Sequence, residues 1–102
     1  KKKEGMKTMT KKFKVNNQFY RIILTLHLLQ RIQERQINTK NIIPAIITYL
    51  KNHEITSNNI MLEVTSQNFS LVLNIRRNNI KLITVIDKIN CYPKKGTLKV
   101  AI

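Results

Sequence analysis

In the stretch His27-Leu28-Leu29-Gln30-Arg31-Ile32-Gln33-Glu34-Arg35, one imidazole and two guanidinium groups recur at every fourth residue. On a helix this spacing stacks His27, Arg31 and Arg35 along one side and leaves Leu28, Leu29 and Ile32 for the other. Imidazole moves protons near neutral pH, and guanidinium presents a planar fork of donors to phosphate oxygens. Together they make a set suited to a phosphodiester, with His27 as acid or base and Arg31 and Arg35 gripping the phosphate. The structural alternative is a histidine tied to backbone at a helix start and two arginines on a solvated face beside Glu34.

The elements that would position this set lie on either side of it. Residues 19–25 are apolar on both alternating faces, which fits a central strand. Thr25 then caps the helix and puts His27 in its first turn, where free N–H groups favour an anion. Ile37-Asn38-Thr39 breaks this helix and opens a second, capped by Asn38 or Thr39. With Asn38 as the cap, Ile37 and Ile42 form a hydrophobic staple. Ile42, Ile46 and Leu50 share one stripe, and Ile43 and Ile47 another. Pro44 is close enough to the helix start to be tolerated, and the helix ends near Asn52, with His53 complementing its dipole.

Strands follow over residues 60–66, 69–76 and 80–87, separated by turns at Gln67-Asn68 and Asn78-Asn79. A loop containing Pro93 and Gly96 leads to a short strand at 98–102. A two-residue turn at Asn78-Asn79 would pair Ile75 with Leu82, Leu73 with Thr84 and Leu71 with Ile86 on one face. Arg76 and Lys81 share the other face, and with Arg77 they make one end of the hairpin basic. The order strand, helix, helix, then three or four antiparallel strands predicts an α+β fold.

The chain has 102 residues, with 19 Lys and Arg against 5 Asp and Glu, a formal charge of +14. One domain is expected. The charge suits an acidic partner, whether RNA, DNA, an anionic membrane or an acidic protein. Residues 1–14 hold seven lysines and one acid and read as a basic flexible tail, leaving residues 15–102 as a single α+β domain. No apolar run reaches the roughly 18 to 20 residues that span a bilayer, and no signal peptide is visible, so no membrane partner is expected. The lone Cys91 excludes an internal disulfide. Two histidines and one cysteine, widely spaced, make no zinc site, and neither a metal nor another cofactor is expected. A reducing, cytoplasmic setting follows. The first residue is Lys, with Met6 and Met9 as candidate natural starts.

The segment Leu24-Thr25-Leu26-His27-Leu28-Leu29-Gln30-Arg31-Ile32-Gln33-Glu34-Arg35-Gln36-Ile37 resembles the start of a small RelE-related group. It is similar to RegB-like phage endoribonucleases and to toxin-type domains with a His-x-x-x-Arg-x-x-x-Arg-x-Ile helix. A strand ending in Thr before the histidine adds to the likeness, as does Lys81-Leu82-Ile83-Thr84-Val85-Ile86-Asp87, similar to the closing strand of RelE-like chains.

The resemblance implies a microbial-ribonuclease-like fold, with two helices packed on one face of a twisted antiparallel sheet of four to five strands. It also implies metal-independent RNA cleavage in which the 2′-hydroxyl attacks its own phosphate and leaves a cyclic phosphate. A base takes the 2′ proton, an acid protonates the leaving 5′ oxygen, and cations stabilise the charge of the transition state. His27 matches the family histidine of acid–base work, and Arg31 matches the arginine that holds phosphate. Tyr92 falls where RelE relatives place a functional residue in the last strand or loop. RegB-like chains carry a further histidine on the second helix, where this chain has Ile47; His53 lies six residues beyond, so the acid–base pair is incomplete.

The expectation is a small basic endoribonuclease of toxin or phage type. His27, Arg31 and Tyr92 would be catalytic, and Arg35, Arg76, Arg77 and Lys81 would bind RNA phosphates. RNA, on a ribosome or as tRNA, is the implied partner, with an acidic antitoxin or immunity protein as a second. The alternative is a non-enzymatic regulator that binds nucleic acid or a host protein, which needs only the charge.

Overall fold

Two adjacent asparagines in left-handed backbone open the fold. Asn16 and Asn17 have φ of 50° and 67°, the conformation of a type I′ hairpin turn. They join β1 (Thr8–Val15) to β2 (Gln18–Thr25) in unbroken antiparallel register. The computed structural model describes residues 8–102. The strand corrects the expectation of a tail over residues 1–14: from Thr8 onward the chain is in the sheet, and residues 1–7 lie outside the described residues. Two of the lysines that disguise it, Lys12 and Lys14, are on its outer face. Lys12 and Lys14 stand opposite Arg21 and Phe19, while Phe13 and Val15 turn to the core. Lysines along an edge strand also discourage pairing with a further strand.

β2 leads directly into α1 (Leu26–Glu34), where the Thr25 hydroxyl accepts the Leu28 N–H at 3.1 Å, the cap read from the sequence. Leu28 and Ile32 are its buried residues. Asn38 Oδ1 accepts the Lys40 N–H at 2.9 Å and starts a 3-10 turn over Thr39–Asn41, which runs into α2 (Ile42–Asn52). The predicted stripe of Ile42, Ile46 and Leu50 is buried, with Ala45 and Tyr49 beside it. Both helices share one core with the inward residues of the sheet, among them Ile22, Leu62, Leu73 and Leu82.

The remaining strands are β3 (Asn59–Val64), β4 (Phe69–Arg76), β5 (Asn79–Ile86) and β6 (Leu98–Ala101). The α+β class holds, but among the described residues the sheet has six strands in the order β1-β2-β5-β4-β3-β6 and is mixed, in place of the four to five antiparallel strands expected. The reason is topological. The β3-β4-β5 meander returns β5 to β2 running the same way, and the two pair in parallel over Arg21–Ile23 and Asn79–Lys81 only. β6 joins the far edge parallel to β3.

The β4-β5 hairpin turns one residue earlier than the sequence suggested. Arg77, with φ of 56°, and Asn78 form the turn, so Ile75 pairs with Ile80 and Leu73 with Leu82. A bulge follows, after which Leu71 pairs with Val85. The bulge resolves a conflict in the expected register, which placed Thr84 against Leu73. Leu82 and Val85 are buried while Thr84 turns to the other face, as an extra residue on one strand permits.

The Tyr49 side chain is 1% exposed, and its hydroxyl finds no hydrogen-bond partner among the described residues. Burial pushes its pKa above the ordinary 10.0. Its ring stacks on His53 with centroids 5.3 Å apart. A buried hydroxyl without a partner costs about 1 to 3 kcal/mol in lost hydration. Tyr49→Phe is therefore expected to be at least as stable as the wild type, with a gain of up to about 1 kcal/mol in chemical denaturation. A clear loss of stability would mean that the hydroxyl is satisfied after all.

Candidate nucleic-acid interface

Strand alternation decides which side chains leave the core. With Ile22, Ile60, Leu62, Leu71, Leu73, Ile75, Ile80 and Leu82 turned toward the helices, their neighbours Arg21, Ile23, Met61, Val72, Asn74, Arg76 and Lys81 emerge on the opposite face. Among the described residues no helix covers that face, and these residues line a groove of about 1030 Å³. Its outer wall comes from the connection between β5 and β6, which contributes Tyr92, Lys94 and Thr97.

The wall is fastened to the sheet by two buried polar residues. On β3, Glu63 accepts the Asn90 N–H and pairs with Lys99 of β6 at 3.4 Å, its side chain only 8% exposed. The Asn90 N–H is the main cause holding the Glu63 carboxyl below its ordinary 4.5; burial opposes this, and Lys99 adds to the lowering. On β4, the fully buried Ser70 donates its hydroxyl to the Lys88 carbonyl at 2.9 Å. Asn90 itself takes left-handed backbone, φ 65°, a conformation that Asn tolerates. Beyond these anchors Tyr92 stands 96% exposed.

The groove's charge is of one sign. Arg21, Arg76, Lys81 and Lys94 line it and, among the described residues, no carboxylate does. Asn59, Asn74 and Asn79 add amides, with Asn74 Nδ2 donating to Asn59 Oδ1 at 2.9 Å. Guanidinium and ammonium groups bind phosphate oxygens, amides reach base edges and sugars, and an exposed aromatic ring beside apolar floor residues offers a stacking surface for bases.

The residues singled out from the sequence divide into two groups. Arg76, Lys81 and Tyr92 meet in this groove. The shared face of Arg76 and Lys81 survives the altered hairpin register because the shift is by an even number of residues. Arg77 does not join them, since it forms the hairpin tip. Arg35 is half-buried and donates from Nη1 to the Val85 carbonyl, which fastens the end of α1 to β5. His27 and Arg31 are exposed on α1, and neither lines the groove. The helix stripe and the sheet groove thus lie on different layers. Sequence reasoning overlooked Arg21, Asn74, Asn79 and Lys94. Arg21 could have been noticed, as the one charge inside the apolar run of β2.

Among the described residues no helix is long and apolar enough to cross a membrane. No family model, curated protein or solved structure matches the chain.

Proposed function

We propose that this protein is a small basic endoribonuclease of toxin or phage type that holds single-stranded RNA across its open sheet face. The observation that carries this is the convergence of Arg21, Arg76, Lys81 and Tyr92 on one groove that no carboxylate of the described residues lines. Cations from separate strands match successive phosphates. The exposed phenol favours single strands, whose unstacked bases are free to stack on it. Cleavage is supported by the resemblance of residues 24–37 and 81–87 to RelE-related and RegB-like chains, with the chemistry placed on the sheet groove in place of the helix histidine that those chains use. Two helices on one sheet face, with the other face open, fit the microbial-ribonuclease-like fold that this resemblance implies.

In this reading the 2′ oxygen attacks its phosphorus, its proton passes to a base, and the departing 5′ oxygen takes a proton from an acid. Arg76 and Lys81 stabilise the negative charge that grows on the phosphoryl oxygens, and Tyr92 is the groove's candidate proton donor. An acidic protein covering these cations would inhibit the enzyme in the cytoplasm.

Incubating the pure protein with total RNA in EDTA, then analysing the ends, tests the class. Cyclic phosphate ends are expected, and they should disappear with Tyr92→Phe if the phenol gives the proton. Salt-sensitive RNA binding without cleaved product would favour the second reading, a non-enzymatic nucleic-acid-binding regulator. One feature of the groove supports that second reading: no imidazole lines it.

A further inference from the structure

The open face extends beyond the groove. A second, smaller hollow of about 380 Å³ shares Arg21 and Asn79 with it and adds Lys12 and Phe19. Phe19 is 67% exposed. Its face is fixed by register: Lys14 and Lys12 stand opposite Phe19 and Arg21 across the β1-β2 ladder, and Lys14 Nζ lies 5.4 Å from the ring centroid. The sheet therefore carries an exposed aromatic ring at each side of one cationic surface, Phe19 over β2 and Tyr92 against the β3 side, with Arg21, Lys81 and Arg76 between them. β2 and β3 are three strand spacings apart, roughly 14 Å at about 4.8 Å each, more than one base can bridge.

We propose that Phe19 is a second base-stacking subsite, so that the ligand is a single strand of several nucleotides crossing the strands from Tyr92 to Phe19. This rests on the RNA reading above and fixes its substrate class. Aromatic platforms joined by a cationic track bind single strands with little dependence on sequence. The lysines of β1 supply phosphate contacts at the Phe19 end, which gives the edge strand a binding role beside its structural one.

The test uses the full chain with fluorescein-labelled oligouridylates of about 2 and about 16 nucleotides, one below the range of single-fold binding sites and one at its upper end. The wild type should bind the long strand more tightly than the short one. Phe19→Ala should weaken the long strand by on the order of tenfold and leave the short strand unchanged, while Phe19→Tyr should restore the length preference. Because no charge changes, the salt dependence of the long strand should keep its slope. Equal affinity of wild type and Phe19→Ala for the long strand overturns the subsite and leaves the groove reading standing. An equal loss at both lengths also overturns it, and so does preferential binding of a duplex of the same length. Failure of the wild type to bind either length removes the RNA reading itself. The exposure of Phe19 lets the variant fold, and a thermal melt checks this.

Discussion

Replacing Arg76 and Lys81 together by alanine is expected to abolish RNA cleavage and to weaken RNA binding in a way that salt reveals. Both side chains are exposed, so neither change empties the core, and the melting temperature should stay close to that of the wild type. Each phosphate neutralised on a single strand contributes a slope of about −0.7 in log K against log salt. Losing two contacts should therefore flatten the slope by about 1.4. Removing one donor aimed at a developing oxyanion costs about 10² to 10³ in rate, so the double variant should fall below detection. An unchanged slope would show that phosphates do not lie over β4 and β5. His27→Ala is the companion measurement. It should cleave almost as the wild type does, because His27 does not line the groove. The opposite pattern, an inactive His27 variant beside an active double variant, would move the chemistry to the α1 surface.

These two variants separate what the sequence disclosed from what it concealed. Elements driven by apolar period were legible. The stripe Ile42, Ile46, Leu50 and the cap at Thr25 appear where local rules put them, because burial and capping act over one or two turns. β1 was illegible for the opposite reason: Lys11, Lys12 and Lys14 hide the alternation of Phe13 and Val15, and charge in that density usually marks a solvated tail. The Asn16-Asn17 pair was the available signal, since the same logic had marked Asn78-Asn79 as a turn. The bulge before Val85 and the parallel docking of β5 on β2 are long-range outcomes; no local pattern encodes them. The site divided in the same way. Helical spacing aligned His27 with Arg31 and Arg35, but spacing cannot say which layer a stripe faces. The tie from Arg35 to Val85 engages one of those guanidinium groups with the sheet. Strand parity was the more reliable guide, because it put Arg76 and Lys81 on one face under either register.

Glu63→Ala should uncouple the groove wall from the sheet and lose most of the function of Tyr92 without touching it. The carboxylate is the acceptor for the Asn90 N–H and the partner of Lys99. Of these, the bond to backbone counts for more, because Lys99 is partly exposed and such ion pairs are weak. Without the acceptor, residues 88–97 keep the Ser70 tie to Lys88 but lose their second anchor, and the backbone that carries Tyr92 is no longer held against the sheet. A misplacement of about 1 Å can cost on the order of 10² in rate, so cleavage should fall by about that factor. Glu63→Gln should fall between, since its amide oxygen still accepts from Asn90 while the charge is gone. Acid titration supplies an independent check. The folded-state pKa of Glu63 is lowered, so its contribution to stability is complete above the ordinary 4.5 and is lost as the pH falls through the lowered value. The gap in melting temperature between wild type and Glu63→Gln should therefore be widest at neutral pH and close on the acid side. A positioning role is told from a merely structural one by the double variant. In a Tyr92→Ala background, Glu63→Ala should still lower the melting temperature but should weaken RNA binding no further. If the two losses of affinity simply add, Glu63 acts on the RNA by some route other than the tyrosine.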